Sequence, residues 1–96
     1  MSAYVIASLP VTDQERYRRY QAGFGEVLRA FDGELLVADE RPEVLEGDRP
    51  DKVVVMRFRD EAEARRFLTS DAYISLSEDR RAGAQARAVL VRSLRG

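Results

Sequence analysis

The stretch DGELLVADERPEVLEGDRPDKVVVMRFRDEAEARRFLTSDAY, residues 32–73, decides the fold. Two apolar runs within it, Glu34–Asp39 and Lys52–Arg59, alternate with the period of two that is typical of β-strands. The polar segment between them contains Val44-Leu45-Glu46-Gly47. Asp60, followed by Glu63, is an N-cap pattern that predicts a helix directly after the second run. The stretch therefore predicts a strand, a loop, a strand and a helix.

The two strands carry charges that fit an antiparallel pairing about the loop. In the simplest register Glu34 lies opposite Arg57, and Asp39 lies opposite Lys52. Opposite charges at facing positions stabilise a strand pair by roughly 0.2–1 kcal/mol each. We therefore expect both pairs, and a slip of the register by one residue is the alternative.

The residues before this stretch predict a strand and a long helix. Tyr4–Val11 is a run with two apolar faces, which is typical of a strand that is covered on both sides. Thr12 or Asp13 is expected to cap the following helix, and Asp32-Gly33 is expected to end it. An apolar stripe at helical spacing marks the buried face of that helix. The stripe consists of Tyr17, Tyr20, Phe24, Val27, Leu28 and Phe31.

The residues after the stretch complete the domain. Ser70 is expected to cap a further helix that carries Tyr73, Leu76 and Arg80, and Ala86–Leu94 predicts the last strand. The order is βαββαβ with an extra short helix before the last strand, as a single α+β domain over residues 1–96. Two right-handed crossovers then give a four-stranded antiparallel sheet of order 4-1-3-2, with the helices on one face.

Strands one and three are central in this sheet, and the face that they turn away from the helices is also apolar. About five side chains, at roughly 1.5–3 kcal/mol each, leave on the order of 8–15 kcal/mol of burial unused. We therefore predict a homodimer in which two sheets pack face to face. An edge-on dimer or a monomer with a solvated sheet is the alternative. The five are drawn from Tyr4, Ile6, Leu36, Val53 and Val55, or from their alternates.

Composition narrows the possible partners. The chain has 96 residues, of which 45% are hydrophobic and 34% are charged, as is ordinary for one soluble globular domain. The 16 basic residues are spread among 17 acidic ones, so we expect no nucleic acid partner. No apolar run approaches the ~20 residues that a membrane span needs. The N-terminal run predicts a strand rather than a signal peptide, so we expect a cytoplasmic protein.

Two absent residue types narrow the chemistry. The chain has neither Cys nor His. Disulfides, thiol nucleophiles, imidazole bases and metals or haem bound by Cys or His are therefore excluded. Catalysis is left to carboxylates, hydroxyls, Lys52, arginines, backbone groups or a bound cofactor, and we expect neither a metal nor a cofactor.

Six segments lie in order along nearly the whole chain: YVIASLPVTDQERYRRY, DGELLV, VLEG, VVVMRF, SDAY and VLV. Together they resemble the domain-of-unknown-function family 1330. The resemblance implies the dimeric α/β-barrel variant of the ferredoxin-like fold, in agreement with the order above. Relatives of that fold include cofactor-free monooxygenases, muconolactone-type isomerases and small ligand binders, and the fold alone does not choose among them. The family pattern is matched by Tyr4, Asp13, Tyr17, Tyr20, Gly33, Leu45, Glu46, Gly47, Phe58, Ser70, Tyr73 and Arg80.

The space between sheet and helices is the expected pocket, and Ser70, Tyr73 and Arg80 are the first candidates to meet there. Tyr73 and Arg80 are two helical turns apart and share one helix face. Arg80 would hold a carboxylate or an enolate-like oxygen, and Tyr73 would donate a hydrogen bond or a proton. The alternative is structural: Ser70 caps the helix, Tyr73 packs on the sheet, and Arg80 pairs with a Glu or a helix carbonyl.

Glu46 is a further candidate, as a general base in a loop that reaches the pocket or the partner subunit. The alternative is that Gly47 supplies a turn and Glu46 holds the loop. Tyr17 and Tyr20 are expected in the core, with hydroxyls able to reach a cavity rim. A solvated helix face is expected to contain four charged residues, Glu61, Glu63, Arg65 and Arg66.

Three functions are compatible with these observations. The first is binding of a small organic molecule between sheet and helices. The second is a cofactor-independent isomerase or monooxygenase-like enzyme that uses the same pocket. The third is a structural or stress-associated dimer module without a ligand. A partly polar cavity that touches Tyr73 and Arg80 would favour the first two, and a filled interior would favour the third.

Overall fold

The computed structural model describes residues 2–10, 14–48, 52–83 and 87–94. These residues form a strand, a helix, two strands, two helices and a final strand. The strands are β1 (Ala3–Leu9), β2 (Glu34–Asp39), β3 (Lys52–Phe58) and β4 (Arg87–Arg92), and the helices are α1 (Gln14–Ala30), α2 (Glu61–Thr69) and α3 (Asp71–Gly83). The predicted capping residues of α1, Thr12 and Asp13, lie outside the described residues.

The four strands form one antiparallel sheet in the order β2-β3-β1-β4, which confirms the predicted topology. Side chains of the central strands β1 and β3 alternate between a buried face and a half-exposed face. Because successive strand residues point to opposite sides, one face packs on the helices and the other turns away from them. The Cα atoms span 34 × 33 × 16 Å, and the short dimension is that of one sheet with one layer of helices.

One of the two predicted charge pairs connects β2 and β3. Glu34 lies opposite Arg57, and a guanidinium nitrogen of Arg57 lies 3.7 Å from a carboxylate oxygen of Glu34. Arg57 also donates a hydrogen bond to the hydroxyl of Ser2 at 3.4 Å. Ion pairs that are this exposed contribute roughly 0–1 kcal/mol. The Glu34–Arg57 pair therefore agrees with the predicted register and adds little to the stability of the sheet.

The other predicted charge pair is wrong, because β2 contains a bulge at Leu36. The bulge adds one unpaired residue to β2, so that Asp39 lies opposite Val53 and not opposite Lys52. An extra residue in one strand shifts every later pairing by one position and exchanges the two faces of the sheet. Asp39 consequently belongs to the face that turns away from the helices, while Lys52 belongs to the helix side.

Helix α1 ends in a turn formed by Asp32 and Gly33, which differ in backbone conformation and in the space around them. Asp32 takes a φ of 54° and donates its N–H to the Arg29 carbonyl at 3.1 Å. Gly33 donates its N–H to the Leu28 carbonyl at 3.0 Å, which completes a Schellman motif. An added Cβ at Gly33 would lie 2.3 Å from Cδ1 of Leu28. The predicted helix end is present, but Asp32 takes the left-handed conformation and Gly33 is required for space.

Phe67 of α2 is completely buried within a cluster of aromatic rings. Its ring centroid lies 6.2 Å from that of Phe24, 5.9 Å from that of Phe31, 5.2 Å from that of Phe58 and 4.5 Å from that of Tyr73. Aromatic pairs at such distances contribute about 0.5–1.5 kcal/mol each beyond their area burial. Residues of all three helices and of β3 therefore meet at one aromatic cluster.

The remaining helices begin as the sequence predicts. Asp60 caps α2, because its Oδ1 accepts a hydrogen bond from the Glu63 N–H at 2.8 Å. The extra helix, predicted to be short, is the 13-residue α3. It packs along α1, while α2 approaches β1 and β3.

Among the described residues, no helix is both long enough and apolar enough to cross a membrane.

Candidate functional site

A cavity of about 400 Å³ lies between the sheet and the helices. Small-molecule sites measure roughly 300–1,000 Å³, so this space admits a compact organic ligand. Residues of all four strands and of all three helices line it. The floor is apolar and is formed by side chains of the two central strands, namely Val5, Ala7, Leu9, Val54 and Met56.

The cavity exists because neighbouring strands carry small side chains on the face that is turned towards the helices. Ala7 of β1 lies between Val54 of β3 and Ala88 of β4, and Ala38 of β2 lies on the far side of Val54. Towards the other end of β3 the inward side chain is that of Phe58, which is completely buried. Three alanines at neighbouring positions leave a space that larger side chains would fill at normal interior packing density.

Tyr73 reaches the cavity wall because Ser70 fixes the start of α3. The Ser70 hydroxyl donates to the Phe67 carbonyl at 2.8 Å and accepts from the Tyr73 N–H at 3.1 Å. It thereby closes α2 and caps α3 with one oxygen atom. Tyr73 follows in the first turn of α3, is 9% exposed and lines the cavity. The contacts of Ser70 are those of a helix cap.

Tyr20 of α1 meets Tyr73 in the same wall. The two hydroxyl oxygens lie 3.5 Å apart, and the rings pack edge to face with centroids 6.5 Å apart. Because hydrogen bonds between hydroxyls are normally about 2.7–2.8 Å long, this contact is a long one. Both residues line the cavity. The pair therefore places two phenol groups in the wall, and Tyr20 is buried, as its position on the apolar stripe predicts.

Lys52 is the cavity residue that the sequence reasoning missed. It stands at the start of β3, is 7% exposed and lines the cavity. The period of two places Lys52 on the same face as Val54, and this signal was available in the sequence. From the sequence, Lys52 was expected only as the partner of Asp39 and as one of the groups available for catalysis. Gln21, beside Tyr20 on α1, is a further polar residue of the wall.

The other predicted site residues are placed differently. Glu46 is exposed, in the loop between β2 and β3, and is not among the residues that line the cavity. Gly47 beside it takes a φ of 86°, as expected for a turn that glycine permits. The side chains of Arg80 and Tyr17 lie outside the described residues, so the expected meeting of Arg80 with Tyr73 stays a prediction.

Glu61 of α2, which does not line the cavity, has a strongly lowered pKa. Its carboxylate accepts hydrogen bonds from the Arg92 guanidinium of β4 and, at 2.8 Å, from Arg65. These bonds, with that from Arg92 as the largest cause, lower the pKa of Glu61 from 4.5 to about 2. Glu61 thus connects the start of α2 to the end of β4.

Glu63, on the same helix, is 6% exposed, so the predicted solvated face is wrong for this residue. Its carboxylate accepts hydrogen bonds from Arg59 at 3.2 Å and from Arg66 at 2.8 Å. The two arginines cover it, which satisfies the charge without a ligand. In the part of the chain that the structure describes, no group of three or more acidic side chains is placed to hold a metal ion.

Comparison with known proteins identifies the type of fold. The model of a domain-of-unknown-function family, DUF1330, matches residues 2–94. No protein of curated function matches the chain. A solved structure of a protein of unknown function from Rhodopseudomonas palustris is 15% identical, with a TM-score of 0.83 over 99% of this chain and 84% of that chain.

Two further solved structures are similar in fold. A dimeric ferredoxin-like protein of unknown function from Thermobifida fusca is 15% identical, with a TM-score of 0.68 over 97% of this chain and 92% of that chain. SnoaB, a cofactor-independent oxygenase from Streptomyces nogalater, is 13% identical, with a TM-score of 0.60 over 99% of this chain and 95% of that chain. These similarities confirm the ferredoxin-like fold, and a fold alone does not carry a function.

Proposed function

The chain belongs to the DUF1330 family, and we propose that it binds a small organic molecule in the cavity between its sheet and its helices. One observation carries the proposal: a cavity of about 400 Å³ has an apolar floor and polar residues in its wall. Sites for small molecules combine a mostly apolar lining with a few polar groups that fix the orientation of the ligand. The polar residues are Tyr20, Gln21, Lys52 and Tyr73.

The proposal is tested with a thermal-shift panel of small organic acids, amides, phenols and lactones. We expect a subset of related compounds to raise the melting temperature, because a ligand that binds only the folded state stabilises it. Ala7→Phe, which fills the cavity, should abolish the shifts. Ala62→Phe, on an exposed position of α2, is the matched control and should keep them. Shifts that survive Ala7→Phe would place binding elsewhere and overturn the proposal.

A second candidate is a cofactor-independent isomerase or monooxygenase-like enzyme, and the phenol pair in the wall favours it. Two hydroxyls 3.5 Å apart can both donate to an oxygen that becomes negative during a reaction. The test is to incubate the protein with each compound that shifts its melting temperature and to follow products and solvent-deuterium exchange by NMR. Turnover that Tyr73→Phe abolishes while binding persists would support an enzyme. Binding without turnover for every such compound would leave the binding protein as the better description.

The open face of the sheet supports a homodimer. Tyr4 pairs with Val91, and Ile6 pairs with Val55 and Val89, so that apolar side chains of three strands share this face. Val89 is 55% exposed in the single chain. Contiguous apolar patches on a folded surface are typical of interfaces. We propose that a second copy of the chain covers this face, which leaves the cavity on the helix side accessible in both copies.

Light scattering at micromolar concentration tests the dimer. We expect twice the chain mass of 10.9 kDa. Val89→Asp, at the exposed edge of the face, should give a folded monomer. Val44→Asp, in the exposed loop after β2, is the matched control and should remain dimeric. A wild-type mass near that of one chain would refute the dimer, and so would a dimer that Val89→Asp leaves intact.

A further inference from the structure

The open face of the sheet, which turns away from the helices, is apolar at its centre and charged in its outer rows. The strand register arranges its residues in three rows, each of which crosses all four strands. The middle row is apolar and consists of Val37, Val55, Ile6 and Val89. The first outer row consists of Glu34, Arg57, Tyr4 and Val91, and the second outer row consists of Asp39, Val53, Ser8 and Arg87. An apolar centre within a polar rim is the arrangement that protein interfaces have.

The two outer rows differ in whether their charges are paired. In the first outer row, Arg57 lies 3.7 Å from Glu34 on the neighbouring strand. In the second outer row, Asp39 and Arg87 stand on the two edge strands, three strand spacings or roughly 14 Å apart. Asp39 accepts a hydrogen bond from the Arg41 N–H at 2.8 Å, but among the described residues neither Asp39 nor Arg87 has an ion-pair partner. Both residues are exposed, so one row presents a negative and a positive group at its opposite ends.

The bulge at Leu36 is the reason that Asp39 belongs to this row. Strict alternation from Glu34 would turn Asp39 towards the helices. The extra residue exchanges the two faces of the strand, so that Val37 and Asp39 lie on the open face and Ala38 lines the cavity. Bulges are common at sheet edges, where they re-aim side chains. This bulge therefore supplies the open face with an acidic group on the edge strand farthest from Arg87.

The rows restrict how two copies of the sheet can stack. Two copies that pack open face to open face are related by a two-fold axis between them. If this axis runs along the strands, β2 of one copy lies over β4 of its partner, and every row lies over the same row in reverse. Asp39 then faces the partner's Arg87, and Arg87 faces the partner's Asp39. The apolar middle row is covered as well, because Val37 faces the partner's Val89, and these two residues are 40% and 55% exposed in the single chain.

Other orientations bring like charges together. If the axis runs across the strands, β2 lies over β2, and Asp39 faces the partner's Glu34. If the strands of the two sheets cross at right angles, the other common packing, one corner of the sheet lies over itself, either at Arg87 or at Asp39. Like charges that face each other across an interface weaken binding, and this repulsion selects against the wrong orientation.

We propose that the second copy covers the open face with the two-fold axis along the strands, and that Asp39 of each copy pairs with the partner's Arg87. The inference rests on the proposed homodimer and names the residues that orient it. The middle row provides the apolar contact, and the two symmetric ion pairs distinguish this orientation from the others.

The test reverses each charge separately and then mixes the two variants. Asp39→Arg and Arg87→Asp should each raise the Kd of the homodimer at least tenfold, because each change creates two repulsive contacts. In an equimolar mixture of the two variants both contacts are attractive again, so the mixed dimer should exceed each homodimer at least tenfold. Sedimentation over a dilution series measures the Kd values. Native mass spectrometry measures the mixture, in which the three dimers differ in mass.

Two further variants control for folding and for general effects of charge. Asp39→Asn keeps an oxygen that can accept from the Arg41 N–H and removes only the charge, so it should raise the Kd by a smaller factor of about 3–10. Glu40→Arg makes the same charge reversal at the exposed neighbour of Asp39 and should leave the Kd within about threefold of the wild type. Circular dichroism of each variant reports whether it folds.

The outcomes separate the orientation from the homodimer itself. A wild-type mass of one chain would overturn both, and the open face would then await a different partner. A dimeric wild type that Asp39→Arg tightens would place the axis across the strands and overturn the orientation alone. Two weakened variants whose mixture forms no excess of the mixed dimer would also refute the pairing of Asp39 with Arg87. Predominance of the mixed dimer, with Glu40→Arg unchanged, supports both the homodimer and its orientation.

Discussion

The two ends of the space between sheet and helices are built from the same strands, yet one is filled and the other is hollow. We call the first the filled end, defined by Ala3, Gly33, Phe58 and Phe67. Its density is shown by Gly33, where an added Cβ would lie 2.3 Å from Leu28 and 2.9 Å from Phe58. Phe67 and Phe58 are completely buried there. A structural role explains this end without a ligand.

We call the second the hollow end, defined by Ala7, Tyr20, Lys52 and Tyr73. A cavity of about 400 Å³ lies here, and each of these residues lines it. On β3 the smaller Val54 stands here in place of Phe58, and Ala7, Ala38 and Ala88 leave space on the other three strands. Polar groups also enter the wall. The same arrangement of sheet and helices can therefore stabilise the domain at one end and leave room for a ligand at the other. The sizes of the side chains decide which end is filled.

The largest effect is expected from emptying the filled end. Phe67→Ala removes a ring that contacts four others and should lower the free energy of unfolding by about 3–5 kcal/mol. Leu68→Ala, the adjacent residue, which is partly buried and lines the cavity, should cost clearly less. Urea unfolding followed by circular dichroism measures both. Equal losses would mean that the two ends do not differ in packing.

The same substitution, alanine to valine, at both ends of β1 compares the filled end directly with the hollow end. Ala3 and Ala7 lie on the same face of the strand, and Ala3 is 1% exposed at the filled end. Ala3→Val should cost about 1–3 kcal/mol, because extra methyl groups have no room. Ala7→Val extends into the cavity and should leave stability unchanged or raise it by up to about 1.5 kcal/mol. Equal destabilisation by the two substitutions would contradict the hollow end.

Two glycines test the filled end from the helix side. Gly33→Ala should destabilise by about 1–3 kcal/mol, because its Cβ overlaps Leu28. Gly25→Ala is the matched change in α1, and the space around that position is open to 4 Å. Alanine in a helix is favoured over glycine, so this variant should gain about 0.5–1 kcal/mol. Chemical denaturation of both variants measures whether the free energy of unfolding falls or rises. A Gly33→Ala variant as stable as the wild type would refute the close packing.

The smallest effect concerns the charge contact near the filled end, where Arg92 of β4 pairs with Ala3 and binds Glu61. The pKa of Glu61 is lowered from 4.5 to about 2, so the folded state favours the charged carboxylate. The resulting stabilisation is complete above the unfolded pKa and is lost as the pH falls through about 2.

We therefore expect Glu61→Gln to melt slightly below the wild type at about pH 6, with the difference vanishing towards about pH 2. Melting temperatures across this range measure the effect. High salt should shrink it, because the pair is exposed to solvent. Glu40→Gln, in the exposed loop after β2, is the control and should show a smaller dependence on pH. A constant difference across the range would exclude the ion pair as its cause.

Much of the fold was predictable because it is encoded locally. Alternation marks β3, the stripe from Tyr20 to Phe31 marks α1, and Asp60 and Ser70 cap the next two helices. The alternation of β3 also predicts that Lys52 lies on the helix side of the sheet. The bulge at Leu36 was not predictable, because the residues around it are ordinary strand residues. That single unpaired residue separated Asp39 from its predicted partner.

The sequence by itself determined the order of the elements, the sheet topology and the apolar character of both sheet faces. The order of the elements and the two apolar sheet faces follow from periodicity and capping, which act over a few residues. The topology follows from that order and from the right-handedness of the crossovers. Tertiary structure alone decided the candidate site. Tyr20 and Tyr73 meet across 53 residues of chain, and the cavity beside them depends on how closely the helices approach three alanines on different strands. Such distances are set by packing of the whole domain, which no local pattern records.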